Sequence, residues 1–332
     1  MTHRSPALSP DAARAGAALV EGAWPLLPDA PGVYRFRDPR RRVMYTGRAT
    51  DLRSRVRSYA GPLRDRPHLR RMVAQIAEVE ALECAGVHEA TWLERNLLER
   101  SLSRFNRVRG GAEQPVWLVV GSGPESPGVS LLVERPASGQ VFGPVLGSEK
   151  ARAARSGLLR AYPLHLTGIA MSREQRSLAA ARGVGPDDLA RFASCVGDVL
   201  RGDPPALSLL EATLTSRRDR MSARLAYEAA AAITEELAAV RWVLAPQRVT
   251  GRGEHETTVH GTASGLLLRL TGHAGAIDEW RTTTVDRPRG ERLAAASPPD
   301  LREWAATNAG LAARLVAAGI TRSGRVPTPA IR

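Results

Sequence analysis

Two tyrosines stand on strand-like tripeptides, Gly32-Val33-Tyr34 and Tyr45-Thr46-Gly47, just ahead of a short helical stretch that carries Arg55 and Tyr59. Further on, Glu94 lies within the helical run His88 to Phe105. Each of these side chains has its own chemistry. A phenol donates or accepts a hydrogen bond and ionises readily only beside positive charge. A guanidinium holds oxyanions in a planar fork. A carboxylate taken out of water needs a metal, an arginine or another hydrogen-bonding partner.

Helical geometry places two of these charges where apolar residues are expected. Residues advance about 100° each around a helix, so with Ala90 at zero Leu97 falls near −20°, Phe105 near 60° and Glu94 near 40°. Glu94 thus sits inside the stripe due for burial, whereas Glu89, Arg95, Asn96 and Glu99 fall on the outer side. On the shorter helix, with Leu52 at zero, Arg55 lies near −60° and Tyr59 near −20°, both bordering the apolar face. Taken singly, each residue has a structural explanation: a packed tyrosine with a bonded hydroxyl, a salt bridge from Glu94 to Arg55, a solvated face for Arg53 and Arg57. The conjunction of phenols, guanidinium and inward carboxylate favours a site.

The elements that must position these groups are legible as an α+β arrangement. Strands are predicted at Val33 to Phe36 and Val43 to Thr46 around the turn Asp38-Pro39-Arg40, with a third at Val79 to Ala85. Asp51 is placed to cap a helix to Tyr59, and a second helix runs from about Pro67 to Glu78. Residues 1–25 read as a disordered or loosely packed arm, and 26–110 as one compact α/β unit. A middle region, 111–200, holds three short strands between Trp117 and Leu146, then helices at Glu149 to Ala161 and Pro186 to Leu200. Residues 201–245 are helical, with one helix predicted from Pro205 to Val240. Residues 246–332, of no assigned role, carry one clear strand at Gly265 to Gly272 and a helix near Asp300 to Ala318.

The 332-residue chain has a formal charge of +13, which favours a polyanionic partner such as nucleic acid. No apolar run approaches the ~20 residues of a bilayer span, and the start lacks the order of a signal peptide, so a cytoplasmic protein is expected. Two cysteines, Cys84 and Cys195, are too few for a zinc or iron–sulfur site.

At these residues the chain resembles the GIY-YIG nucleases, in particular the amino-terminal endonuclease domain of UvrC and its shorter relative Cho. Gly32-Val33-Tyr34 and Tyr45-Thr46-Gly47 match the two half-motifs, and Arg48, Arg55, Tyr59, Glu94 and Asn106 fall where the family keeps its other active-site positions. Val141 to Leu164 is similar to the segment that follows the nuclease in UvrC. Met221 to Leu237 looks like the helical UVR motif through which UvrC pairs with UvrB, so UvrB is an expected partner through residues 221–240. Arg48 replaces the family's usual lysine, keeping charge but changing hydrogen-bond geometry. No iron–sulfur cluster, second RNase H-like nuclease or helix-hairpin-helix is expected.

The resemblance implies a metal-dependent DNA endonuclease that nicks one strand of damaged duplex in nucleotide excision repair. One Mg²⁺ or Mn²⁺ would be held by Glu94 and water. Tyr34 or Tyr45 would activate or orient the attacking water, with Arg48 and the metal lowering the phenol's pKa. Arg55 would grip the scissile phosphate, Tyr59 a phosphate or the leaving group, and Asn106 would brace the site. Arg53, Arg57, Arg64, Arg66, Arg70 and Arg71 are candidate DNA-backbone contacts. The competing reading is a noncatalytic DNA- or UvrB-binding accessory with the same fold; a third is an RNA-cutting or mobile-element enzyme. Two weaker patterns remain: Glu254, His255, Glu256, His260 and His273 as a metal set, and the stripe Met221, Leu225, Ala229, Ile233 and Leu237 as a partner-helix face.

Overall fold

A computed structural model describes residues 10–61, 67–111, 113–245, 247–251 and 256–324, with side chains from residue 14 onward. Along the chain run α1 (Pro10–Ala23), β1 (Gly32–Arg37), β2 (Val43–Ala49), α2 (Leu52–Arg57), α3 (Pro67–Val73), β3 (Glu78–Glu83) and α4 (Val87–Arg100). Then come β4 (Pro115–Gly121), β5 (Gly128–Leu132), β6 (Gln140–Leu146), α5 (Ser148–Ala161), α6 (Arg173–Arg182), α7 (Leu189–Leu200), α8 (Pro204–Ala223) and α9 (Tyr227–Leu244). The last are β7 (Thr257–Ala263), β8 (Leu266–His273), β9 (Ala276–Thr284), α10 (Arg287–Ala295) and α11 (Pro299–Ala317). The fold class is α+β, with every strand pair antiparallel. Residues 1–112 and 246–332 form one compact unit, and 113–245 another.

In the first unit the strand order is β2-β1-β3, which leaves β2 at an edge. The β1–β2 turn is closed by Asp38, whose Oδ1 accepts from the Arg42 amide at 2.9 Å. Pairing Tyr34 with Gly47 and Phe36 with Tyr45 places all three aromatic rings on one face. The motif glycines are explained by close approach. A Cβ on Gly47 would lie 2.6 Å from the Tyr34 hydroxyl, and one on Gly32 would lie 2.3 Å from the Leu82 carbonyl oxygen. Asp51 caps α2 by accepting from the Ser54 amide, while Leu52 and Val56 are buried beneath the tyrosines.

The opposite face of this sheet is ionic. Arg35 and Glu80 are direct cross-strand partners and form a buried salt bridge, which Arg37 joins at 2.8 Å. The carboxy-terminal strands and α11 cover it. Trp280 of β9 stacks under Arg35, whose guanidinium carbon lies 3.6 Å from the ring centroid, and the Trp280 carbonyl accepts from Arg35 at 2.7 Å. Asn308 of α11 exchanges hydrogen bonds with the Glu83 backbone, and the Trp304 indole donates to the Glu83 carbonyl.

Several sequence expectations change. The amino-terminal arm gives way, from Pro10, to a helix whose Val20 and Ala23 enter the core beside Met72 and Val73. The helix expected to reach Glu78 ends at Val73, because Glu78 opens β3. The last region has three strands rather than one. Thr257–Ala263 and Ala276–Thr284 are rich in threonine and charge, so their alternation is masked until they pair on either side of the apolar β8.

In the second unit the β5-β4-β6 sheet packs with α5 and α7, and α8 and α9 complete the core. The helix expected over Pro205 to Val240 is broken: Leu225 has φ +60° and turns the chain between α8 and α9. The stripe Met221, Leu225, Ala229, Ile233 and Leu237 is therefore no continuous face. Ile233 and Leu237 are core residues, Ala229 is exposed, and Leu225 stands out at the turn.

Candidate functional site

The tyrosine face assembles as an aromatic cluster closed by hydroxyls. Tyr34 and Tyr59 are both buried and their hydroxyls lie 2.7 Å apart, while Arg55 donates from Nε to the Tyr34 hydroxyl at 3.2 Å. The Tyr45 ring centroid lies 6.1 Å from that of Tyr34 and 6.4 Å from that of Tyr59. Burial pushes the Tyr34 phenol well above its ordinary pKa; Tyr59 and Tyr45 add to this, and only Arg55 opposes it. Tyr59 is raised for the same main reason, its burial, with Tyr45 next. Arg55 is in turn held more firmly protonated, first by Tyr34, against the effect of its own burial. These buried phenols are donors at neutral pH. The guanidinium hydrogen-bonded to Tyr34 is Arg55, which opposes the rise of this phenol without reversing it.

Two clefts meet at this guanidinium. One is lined by Tyr45, Tyr59, His68, Phe105 and Asn106, the other by Arg48, Thr50, Asp51, Ser54 and Val87, and Arg55 and Ser58 belong to both. Tyr34 lies behind the cleft wall, reaching it through Tyr59 and Arg55. Asn106 braces the exposed edge of β2: its Oδ1 accepts from the Thr46 amide at 2.9 Å and its Nδ2 donates to the Thr46 carbonyl at 2.8 Å. The amide of Phe105 donates to the Met44 carbonyl, continuing the same edge. An edge strand that would otherwise present bare backbone is thereby fixed beside the cleft.

Glu94 of α4 is half-buried, with its Oε2 3.4 Å from Arg48 Nε, and Arg48 also donates to Thr91 Oγ1 at 2.5 Å. The salt bridge that could by itself account for Glu94 is formed with Arg48 and not with Arg55. Glu94 is more open than the acids locked in the buried ion pairs of this unit: its side chain is 20% exposed, against 7% for Glu80, 1% for Glu78 and 0% for Glu89. No group of three or more His, Cys, Asp or Glu side chains suited to a metal occurs among the described residues. One partly open carboxylate fits a hard, hydrated cation that keeps most of its water, and does not fit a zinc-type donor set.

The outer side of α4 is where the helical-wheel reading fails. Glu89 and Asn96 are buried, because the carboxy-terminal segment lies over them. Glu89 accepts from the Arg248 amide and from both ends of its guanidinium at 2.7–2.8 Å. Asn96 donates to the carbonyls of Val249 and Ile277.

Of the candidate backbone contacts, Arg70 and Arg71 are exposed on α3, and Arg57 is exposed with its guanidinium 4.9 Å from the Trp24 ring centroid. Arg53 is engaged by Asp29 and the Leu27 carbonyl. Arg64 and Arg66 lie outside the described residues, as do Glu254 and His255. His273 pairs with Asp278 at 2.8 Å and His260 lies on β7, and no metal-binding group forms among the described residues of this pattern. Both cysteines are free. Sequence reasoning missed Thr91, His68 and Phe105; for Thr91 the signal was its place one helical turn before Glu94.

Residues 30–107 match the family model described as the UvrC-like GIY-YIG domain. Over 259 residues the chain is 31% identical to UvrABC system protein C of Desulforudis audaxviator, an alignment covering 75% of this chain and 41% of that protein. It is 29% identical over 279 residues to UvrABC system protein C of Natronomonas pharaonis, covering 79% and 47%. The chain thus spans less than half the length of these relatives. A solved magnesium-bound GIY-YIG N-terminal endonuclease domain of UvrC from Thermotoga maritima is 30% identical, covering 26% of this chain and 96% of that one, with a TM-score of 0.25. No helix among the described residues is long and apolar enough to cross a membrane.

Proposed function

We propose that the chain, whose residues 30–107 match the UvrC-like GIY-YIG family model, is a metal-dependent endonuclease that nicks one strand of damaged DNA in nucleotide excision repair. The observation that carries this reading is the position of Arg55, between a cleft bordered by Arg48 and one bordered by Tyr45 and Tyr59. A scissile phosphate at that guanidinium meets a second cation on one side and phenol groups on the other.

Glu94 is the residue to hold Mg²⁺ or Mn²⁺, whose charge when bound relieves the negative charge that builds on a phosphate under attack. Arg55 orients the phosphate through its planar fork. Arg48, 3.4 Å from Glu94, would share the neutralisation of the substrate's negative charge with a cation held by Glu94. Tyr45, in the cleft wall, orients the attacking water, and Tyr59 donates toward a phosphate or leaving oxygen while Tyr34 holds it in place. Asn106 fixes the β2 edge. Arg57, Arg70 and Arg71 remain exposed for backbone contacts. UvrB is the expected protein partner, through the α8–α9 hairpin, whose turn exposes Leu225 and Tyr227. The cell compartment proposed is the cytoplasm.

The test is nicking of a lesion-bearing duplex by the wild-type chain, Glu94→Ala and Arg55→Ala, in Mg²⁺ or Mn²⁺, with and without UvrB. Wild-type nicking that both variants lose supports the reading; intact DNA under every condition ends it. The noncatalytic reading draws on one contact, the Glu94–Arg48 pair, which satisfies the carboxylate without a cation. It requires DNA binding that Glu94→Ala leaves unchanged, and no cleavage in either metal.

A further inference from the structure

The cleft on the Tyr45 side of Arg55 carries one side chain that the proposed chemistry leaves without a role. His68 stands in its wall with Tyr45, Ser58 and Tyr59, and the guanidinium groups of Arg55 and Arg107 line the same space. The short helix α3 sets the imidazole there. With His68 at zero on this helix, Met72 falls near 40°, Leu69 near 100° and Val73 near 140°. Those three pack with the core that also takes in Tyr45, Tyr59 and Phe105, whereas His68 borders their stripe and stays exposed at the cleft rim. The cleft encloses about 510 Å³, within the range of small-ligand sites.

The other groups of this cleft can orient a reacting oxygen but are poor proton acceptors. A guanidinium only donates. Burial keeps the Tyr59 phenol, and Tyr34 behind it, above the ordinary range, so neither ionises to act as a base at neutral pH. A phenol with the reference pKa of about 10 is also a weak acceptor there. Among the described residues that line this cleft there is no carboxylate. Arg48, the partner of Glu94, lines the other cleft. Imidazole is the one side-chain type in this wall that ordinarily takes up and releases a proton between about pH 5 and 8.

We propose that His68 is the general base of the nicking reaction, accepting the proton of the water that Tyr45 orients; the assignment rests on the nuclease reading. The water oxygen bonds to phosphorus as the bond from phosphorus to the leaving oxygen breaks. The water's proton passes to an imidazole nitrogen of His68, the leaving oxygen takes a proton from solvent, and His68 returns its own to solvent afterwards. The charged and titratable groups that share the cleft with His68 are Arg55, Arg107, Tyr45 and Tyr59, and Arg71 stands about 60° from it on α3.

Single-turnover nicking of a lesion-bearing duplex by the full-length chain in Mg²⁺ is followed from about pH 5 to 8. Wild-type nicking is expected to fall toward the acid end of this range as the imidazole takes up a proton. H68A is expected to nick about 10²–10⁴-fold more slowly at the upper end and to lose the histidine-dependent part of that fall. Free imidazole in the buffer is expected to restore part of the H68A rate and to leave the wild type unchanged. H68Q keeps a hydrogen-bonding side chain but accepts no proton, so it should be as slow as H68A, with duplex affinity by anisotropy in EDTA unchanged in both. Should H68A fail to fold by circular dichroism, H68Q carries the comparison. Nicking by H68Q or H68R at the wild-type rate gives His68 a hydrogen-bonding or charge role and overturns the proposal, as does H68A with the wild-type pH profile. The two readings fail differently. A wild-type chain that never nicks ends the nuclease reading and this role with it; a wild type that nicks no faster than H68A and H68Q ends this role alone.

Discussion

The two faces of the β2-β1-β3 sheet both bury polar groups, and they do opposite things with them. On the rear face Arg35, Arg37 and Glu80 neutralise one another under Trp280. Burial drives Glu80 up, but Arg35 and Arg37 outweigh it and hold it below its ordinary range; burial, helped by the like charge of Arg37, brings Arg35 down to about 10 against the pull of Glu80. On the front face Tyr34, Tyr59 and Arg55 are joined by hydrogen bonds, yet among the described residues no carboxylate forms an ion pair with the Arg55 guanidinium. A buried charge is therefore poor evidence of a site by itself. What separates the faces is completeness: the rear cluster is closed and compensated, while the front one ends in a cleft with cationic charge to spare.

The sharpest way to break this contrast is to remove the centre of the rear cluster. Glu80→Ala leaves Arg35 buried without its acid and is expected to cost about 3–5 kcal/mol in urea unfolding. The same loss on the front should spare the fold and strike the chemistry. Glu94→Ala is expected to lower single-turnover nicking by about 10²–10³-fold. Its partly exposed pair with Arg48 should change stability by no more than about 1 kcal/mol.

A smaller effect sharpens the role of the covering layer. Asn96→Ala strands the carbonyls of Val249 and Ile277 and should destabilise by about 1–3 kcal/mol. The smallest is a matter of pH. Tyr34 and Tyr59 have folded-state pKa values above the unfolded value near 10, so the folded state keeps protons that the unfolded chain releases. Their contribution is complete below about pH 10 and is lost as pH rises from there toward the folded values. Tyr34→Phe with Tyr59→Phe should flatten that alkaline fall in thermal-melt midpoint.

Much of the front face is readable without coordinates. The alternation of Tyr34 and Phe36, the capping position of Asp51 and the helical angles of Arg55 and Tyr59 are local, set by strand and helix periods over a few residues. The same arithmetic misplaced Glu89 and Asn96. Their angles point away from the first apolar stripe, but Arg248, Val249 and Ile277, some 150 residues later, make a second partner for α4. No local period records a face that a distant segment will cover. The broken stripe at Leu225 has a related cause: a spacing of four runs unnoticed across a turn whose left-handed residue is not a glycine.

The sequence by itself determined which side chains could meet a phosphate: their types, their spacing and the faces they share within one strand or helix follow from backbone geometry. Tertiary structure alone decided the pairings, giving Glu94 to Arg48 rather than Arg55, Arg55 to Tyr34, and the rear of the sheet to Trp280. Those choices depend on distances between segments far apart in the chain, where burial and electrostatics are settled by packing and not by period.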